Sequence, residues 1–436
     1  MSAEGLRAEA VDAAEPSVKR RLRLWRHRDF RLVWTGQTLS ELGTGISQLA
    51  YPLLVLAMTG SPLYAGLVSA ARALPYVLFG LVAGALVDRW DRKRTMILCD
   101  SLRALNMAAV PVAAALGVLT VGQVIAAAFI GGSLYVFFSA AEEACLPNIV
   151  AEQELTSAVA AQETSASAAG VVAPPIGGAL LEVSRGLPFL VDAVSYAVSV
   201  VCLLAVRAPF REQQPGQPAD SSTETGTPNP AASERPRLRA EVTTGLRWLW
   251  NHPALRLIAI VASSLQLAIS GIGLVAIVAA RHGGASSAQI GALFSAIGVG
   301  GVLGALLAPR AQAWLGLGRM LLSVLWLQAG LWLAMVFATS LPAIGAVLMA
   351  FTITMPLFGV AALGYRLAVV PDELRGRVGT AFSMLVWAAS PIGATVAGVL
   401  LARLSPGHAA AVFAAWVVLL SSLVTARGSL RRLTPA

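Results

Sequence analysis

The sequence predicts an all-α membrane protein with twelve transmembrane helices in two pseudo-symmetric six-helix bundles. Three observations carry this expectation. Of 436 residues, 56% are hydrophobic and only 13% are charged, and the mean hydropathy is +0.71. An average soluble domain carries about 25% charged residues, so this chain lacks the polar groups to cover a water-facing surface. Apolar windows long enough to cross a ~30 Å hydrocarbon core as helices recur twelve times. The last six windows repeat signals found in the first six.

In order, the windows fall at 30–58, 63–87, 95–117, 120–145, 158–183 and 188–207, then at 254–280, 286–308, 319–339, 341–366, 378–402 and 407–427. Turn residues or charges separate them. Between the two sets, residues 211–236 (REQQPGQPADSSTETGTPNPAASERP) are rich in Pro, Ser, Thr and Gly, a composition that reads as disordered. The expected plan is a tail at 1–29, a bundle at 30–207, a linker at 208–253, disordered then amphipathic, a second bundle at 254–427 and a tail at 428–436.

The repeat rests on three matches. HRDFRLVW at 27–34 aligns with HPALRLIA at 252–259, Gly80 and Gly84 with Gly300 and Gly304, and APPIGG at 173–178 with ASPIGA at 389–394. The offsets run only from 225 (27 to 252) to 216 (173 to 389), so one duplicated six-helix unit explains them all. Two duplicated bundles with a site between them form a transporter architecture that moves by rocking.

Basic residues set the orientation. They gather at Lys19 to Arg31, Arg89 to Arg94, Arg235 to Arg256, Arg310, Arg319, Arg366 to Arg377 and Arg427 to Arg432, whereas the opposite loops hold Arg185, Arg281 and Arg403. By the positive-inside rule both termini and the linker are cytoplasmic. Arg in place of Lys, with abundant Ala and Gly, is a bias of GC-rich bacterial genomes, so the expected location is the bacterial inner membrane. Residues 1–18 are polar and mixed in charge, so no cleavable signal peptide is expected.

Several function classes are not expected. Cys99, Cys145 and Cys202 stand singly, and four scattered histidines form no ligand cluster, so neither metal nor cofactor is expected. Each of the two lysines, Lys19 and Lys93, is followed by Arg, which leaves no Gly-Lys-Ser/Thr loop for a nucleotide-driven motor. The net charge of +9 belongs to residues flanking apolar segments, a pattern of membrane topology rather than nucleic-acid binding. No nucleophile–base set suggests an enzyme.

Residues 84–94, GALVDRWDRKR, end one apolar run and begin the next, in a short loop between the second and third spans. Asp88 can cap neighbouring helix ends, while Arg89, Arg92 and Lys93 can pair with carboxylates nearby, as a latch at one membrane face would require. Gly80 and Gly84, four apart, suggest close helix contact just above. A role in topology alone is the alternative.

The spacing G-x-x-x-D-R-x-x-R-K, here Gly84, Asp88, Arg89, Arg92 and Lys93, resembles the signature loop of the major facilitator superfamily, with Asp91 where glycine is frequent. The copy in the second half has Ala308 and Pro309 in place of the acid and its following base. AGVVAPPIGGALL in the fifth span resembles the Gly-Pro-x-x-Gly-Gly antiporter motif through Ala173, Pro174, Gly177 and Gly178, with Ala173 in place of glycine. GLRWLWNHPALR at 245–256 is similar to the amphipathic segment before span seven in the branch of macrolide and siderophore (enterobactin) exporters. The mid-span-four Arg of other drug–proton antiporters is absent. The resemblance implies the major facilitator fold and drug–proton antiport. Pro with paired Gly would bend the fifth helix and let another pack closely, restricting leak; simple tight packing is the alternative.

Charges inside spans mark functional sites, and here they belong to the first half: Glu41, Arg72, Asp100, Arg103, Glu163 and Asp192. Glu41 lies ten residues past Arg31, and Arg72 ten past Pro62, so both sit ~15 Å deep at 1.5 Å per residue and are expected to face each other. Glu41, between desolvation and Arg72, is the expected proton carrier, with a permanent Glu–Arg pair as the alternative. Asp100 and Arg103, one helix face nearer the cytoplasm, are expected to engage the loop cluster. Glu163 is placed shallow on the cytoplasmic side and Asp192 near the outer one.

Trp314, Trp326, Trp332, Phe351, Met355, Phe358 and Trp387 in the second half offer an uncharged wall for bulky amphipathic molecules. Gln37, Trp326, Phe351, Met355, Phe358 and Trp387 are the expected cavity residues. The reading is a monomeric, proton-coupled exporter of hydrophobic small molecules working within the lipid bilayer, with no nucleic-acid partner. The alternatives are an importer or lipid transporter of the same fold and, in another class, a membrane sensor or enzyme.

Overall fold

The computed structural model describes residues 24–87, 89–207 and 238–427; residues 1–23 of the first tail, Asp88, the 211–236 stretch and the C-terminal tail lie outside the described residues. Helices run in the order α1 (Arg28–Thr59), α2 (Pro62–Val87), α3 (Arg92–Ala115), α4 (Val121–Cys145), α5 (Leu155–Val183), α6 (Leu187–Ala205), α7 (Leu238–Asn251), α8 (Pro253–His282), α9 (Ser287–Leu315), α10 (Leu317–Phe337), α11 (Leu341–Val369), α12 (Arg375–Leu401) and α13 (Pro406–Arg427). All but α7 are long and apolar enough to span a membrane, twelve in number. They match the twelve expected windows to within a few residues at most ends.

The largest difference is at the end of α9. The expected loop at 308–319 is helical through Leu315, and Gly316 alone turns the chain into α10. Gly316 has φ +69° and ψ 167°, a conformation open to glycine and costly for other residues. Helix ends elsewhere follow ordinary capping chemistry. Thr120 and Ser286 each form a capping box, with Gln123 and Gln289 three residues on. Asp91 accepts from Arg94 N at 2.9 Å and caps α3.

The duplication is visible in packing. A Cβ on Gly177 of α5 would lie 2.7 Å from Ile46 O of α1, and Gly393 of α12 meets Leu267 O of α8 in the same way. Equivalent glycines thus let equivalent helix pairs close up. Helix α7 lies against the start of α12, where Gly245 meets Arg377 O, and Trp248 stacks on His252 at 5.5 Å just before α8.

The two halves meet along α5 with α9 and α2 with α12. Both contacts lie away from the face that carries Arg31, Arg89, Arg94, Arg319 and Arg375, the basic face. On the first, Ala288 N donates to Glu182 Oε1 at 2.9 Å and Ser295 Oγ donates to Val171 O at 2.8 Å. Gly178 and Gly291 bring the backbones so close that a Cβ would strike Ser287 O or Pro174 O. On the second, a Cβ on Gly66 would lie 2.9 Å from Gly398 Cα.

Toward the basic face the same surfaces part. Glu163 and Ser167 on α5, Val302 and Leu306 on α9, and Thr380 and Ser383 on α12 are exposed. The chamber between the halves therefore opens at the basic face. The close contact expected at Gly80 and Gly84 is not made: among the described residues nothing lies within 4 Å of a Cβ at either position, because α2 and α12 diverge beyond the stacked pair Tyr76 and Trp387. Their counterparts Gly300 and Gly304 pack on α11 within one half, against Met349 O and Ile353 O.

Candidate functional site

The centre of the first half is a buried cation with an unusual density of partners. Arg103, 3% exposed, donates from Nη1 to Asp100 Oδ1 at 3.1 Å and from Nη2 to Tyr196 OH at 2.7 Å and Thr44 Oγ1 at 3.2 Å. Its guanidinium also lies 4.0 Å from the centroid of Tyr196, 5.3 Å from Tyr135 and 5.4 Å from Phe138. Three aromatic faces and three hydrogen bonds replace the water that a lone cation would need. Arg103 lies eleven residues into α3, about 16 Å along a helix rising 1.5 Å per residue, which is mid-membrane depth.

This arrangement corrects two expectations. Asp100 and Arg103 engage α1 and α6 rather than the loop cluster, because their helix face turns into the bundle. No ion pair joins Glu41 to Arg72 among the described residues. Glu41, half-buried on α1, instead has Glu163 of α5 and Glu142 of α4 as its charged neighbours, and Gln162 Nε2 donates to Glu142 at 3.3 Å. Arg72 lies within electrostatic reach of Asp192 and Tyr76. Asp192, placed by sequence near the outer face, is fully buried beside Gly43, midway along α1.

The signature loop also acts differently from expectation. Arg92 donates to Ala144 O at 2.7 Å and Lys93 to Val206 O at 2.6 Å. Among the described residues both cations thus bind carbonyls at the C-terminal ends of α4 and α6, where the helix dipole attracts them, rather than carboxylates. Arg89 is exposed; Asp88 lies outside the described residues. In the antiporter-like motif, Ala173 is buried against Gly45 of α1, Pro174 O faces Gly291 of α9, Gly177 packs on α1 and Gly178 on α9. The paired glycines therefore serve two neighbours, one in each half.

The expected cavity residues scatter. Gln37 is buried in the first half, at 4% exposure. Trp326 donates to Thr425 Oγ1 of α13 at 3.1 Å, on the far side of its bundle, where α10 packs on α13. Phe351 is fully buried against Trp332 and edges a cavity of about 230 Å³ with Ile269, Ser270, Ile297 and Leu348. Phe358 is buried and Met355 half-buried, both on α11. Only Trp387 of the group bridges the halves, stacked on Tyr76 of α2 at 5.8 Å. Tyr76 meets Tyr135 at 5.9 Å, and Tyr135 faces Arg103. An aromatic chain thus connects the inter-half contact to the buried cation. Tyr196, Thr44 and Tyr135 were missed by sequence reasoning; the polar positions of DAVSYAVS at 192–199, spaced three, one and three apart in an apolar span, were the available signal.

Residues 22–435 match the model of the transmembrane secretion effector family. The chain belongs to this family, within the major facilitator superfamily. Among relatives of this chain, the multidrug efflux pump Tap of Mycolicibacterium fortuitum is 31% identical over 371 residues, 82% of this chain and 85% of the relative. Macrolide efflux protein A of Streptococcus pyogenes is 29% identical over 181 residues, 41% of this chain and 45% of that one. The fold is shared with the nucleoside transporter NupG, at 12% identity and a TM-score of 0.70 over 93% of this chain and all of that one (100%). It is also shared with a bacterial homologue of the lysosomal transporter Spinster in an inward-facing conformation, at 14% identity and a TM-score of 0.68, covering 97% of this chain and 100% of that one. Fold and relatives are those of multi-pass membrane transporters.

Proposed function

We propose that this protein exports hydrophobic or amphipathic small molecules across the bacterial cytoplasmic membrane by alternating access, driven by proton entry. The observation that carries the reading is the near-full-length kinship with a multidrug efflux pump. In support, the halves part at one face and close at the other through backbone-close contacts, as a rocking exchanger requires. The basic face is then cytoplasmic, and the chamber takes its cargo from inside. Trp387 and Tyr76, half-exposed and stacked, offer a flat apolar surface to such cargo. The intramembrane charges Glu41, Arg72, Asp100 and Arg103 supply the coupling chemistry from the first half.

The energetics suffice. One proton entering down ~100 mV releases about 2.3 kcal/mol, which at 1.4 kcal/mol per decade supports roughly a 40-fold gradient of a neutral solute. In cells overexpressing the protein, accumulation of a hydrophobic drug falls below that of deletion cells, and a protonophore abolishes the difference. Higher accumulation in the overexpressing cells, or a difference that persists with the protonophore, would refute proton-driven export.

A further inference from the structure

Helices α1 and α6 meet along two facing rows of polar side chains. On α1 these are Gln37, Ser40, Thr44 and Ser47, and on α6 Asp192, Ser195, Tyr196 and Ser199, all buried except half-buried Thr44. Gly36 and Gly43 allow the two rows to meet: a Cβ on Gly36 would lie 3.3 Å from Ser199 Cα, and one on Gly43 2.7 Å from Asp192 Oδ1. Ten residues of α1 make this polar seam about 15 Å long at 1.5 Å per residue. Its Asp192 end lies toward the face where α6 begins, opposite the basic face, and its Gln37 end points to the basic face. Asp100 and Arg103 of α3 flank its middle.

Among the described residues, five buried atoms of the seam and its flank lack a well-formed hydrogen bond, Gln37 Nε2, Asp100 Oδ2, Arg103 Nε, Asp192 Oδ2 and Ser199 Oγ, although the Ser199 hydroxyl faces Asp100 and the Ser47 and Tyr196 hydroxyls face Asp192. Native interiors hold few such atoms, and a concentration of them marks a functional polar network. The charges point the same way. Asp100 and Asp192 share the neighbourhood of Arg103, which is hydrogen-bonded to Asp100 but not to Asp192. Arg72 approaches from α2 without an ion pair among the described residues, Tyr51 of α1 and Tyr196 of α6 are the titratable hydroxyls that face Asp192, and Glu142 of α4 faces Asp100 and Arg103. Two carboxylates are thus sealed from water with one hydrogen-bonded cation between them.

We propose that Asp192, with Asp100 and Arg103, is the proton-binding site of the exchange cycle, and that the α1–α6 seam conducts the proton to and from it. This rests on the proton-coupled reading above. A hydronium arriving from the face opposite the basic one gives its proton to Asp192 Oδ2, where an O–H bond forms and water is released. After the halves rock, the proton leaves along the seam to water at the basic face. Arg103 passes its hydrogen bonds between Tyr196 and the carboxylates as the charge changes, and Tyr135 relays the shift to Tyr76 and Trp387.

The test uses the full-length protein in liposomes with ethidium, a permanent cation whose own charge does not depend on pH. Asp192→Asn loses uptake driven by a pH gradient but keeps counterflow, the exchange of labelled for unlabelled ethidium without a gradient. Asp192→Glu, which restores the acid, restores gradient-driven uptake. An Asn variant that keeps its response to the gradient overturns the proposal, as does a Glu variant with intact counterflow and no response. A drug-free measurement separates this from failure of the export reading: on an acid step in weak buffer, the solubilised Asn variant binds about one proton per chain fewer than wild type. Equal uptake overturns the proton site even where ethidium is not carried.

Discussion

Arg103→Met lowers the thermal midpoint of the purified protein more than other single substitutions in the first half, and Arg103→Met with Asp100→Asn recovers part of the loss. The guanidinium joins α3 to α1 and α6 through Asp100, Thr44 and Tyr196. Without it, Asp100 is a fully buried carboxylate with no cation bonded to it. Removing one partner of a buried pair costs roughly 3–5 kcal/mol, most of it the penalty on the charge left behind. Neutralising that charge removes the penalty, so the double variant falls short of the sum of the singles by about 0.5–3 kcal/mol. A thermal-shift series on the detergent-solubilised proteins measures this. Additive losses would mean that Arg103 and Asp100 do not share one network.

Gly178→Ala opens the contact opposite the basic face, whereas Gly170→Ala on the same helix changes little. A Cβ at 178 runs into the backbone oxygen of Ser287 in the other half, while a Cβ at 170 meets nothing within 4 Å. Overpacking of this kind costs typically about 1–3 kcal/mol. The cost falls only on the conformation in which α5 and α9 touch, so the balance of the two states shifts by roughly 5–150-fold. Transport slows, since a carrier held in one state cannot cycle. Drug efflux and solvent labelling of a cysteine placed near Ser287 report both effects; equal behaviour of the two alanine variants would contradict the contact.

How much was legible in the sequence follows from what one dimension records. Span length was legible: apolar runs gave twelve helices long enough to cross, because hydrocarbon thickness dictates that length. The duplication was legible too, since Gly177 and Gly393 are conspicuous residues with matching roles. Azimuth was not. Glu41 and Arg72 share a depth, yet α1 turns Glu41 toward α4 and α5 while Arg72 faces Asp192. Trp326 lies in an apolar span like Trp387, but only the helix packing decides that one meets α13 and the other Tyr76. The loop cations failed for a different reason: helix-end carbonyls are acceptors that no residue letter shows, and Arg92 and Lys93 found them at Ala144 and Val206. Tyr196 was passed over because a tyrosine in a span usually signals packing, and its role depends on Arg103 arriving from another helix.

The most direct test of the whole account is disulfide trapping of each face in turn. Glu182→Cys with Ala288→Cys reports closure away from the basic face, and Gly84→Cys with Gly376→Cys reports closure of the basic face. Two halves rocking about one chamber predict reciprocity: the first pair cross-links in the resting protein, the second only during turnover, and locking either one stops transport. Both cross-links forming together in one molecule without loss of transport would contradict alternating access in this protein.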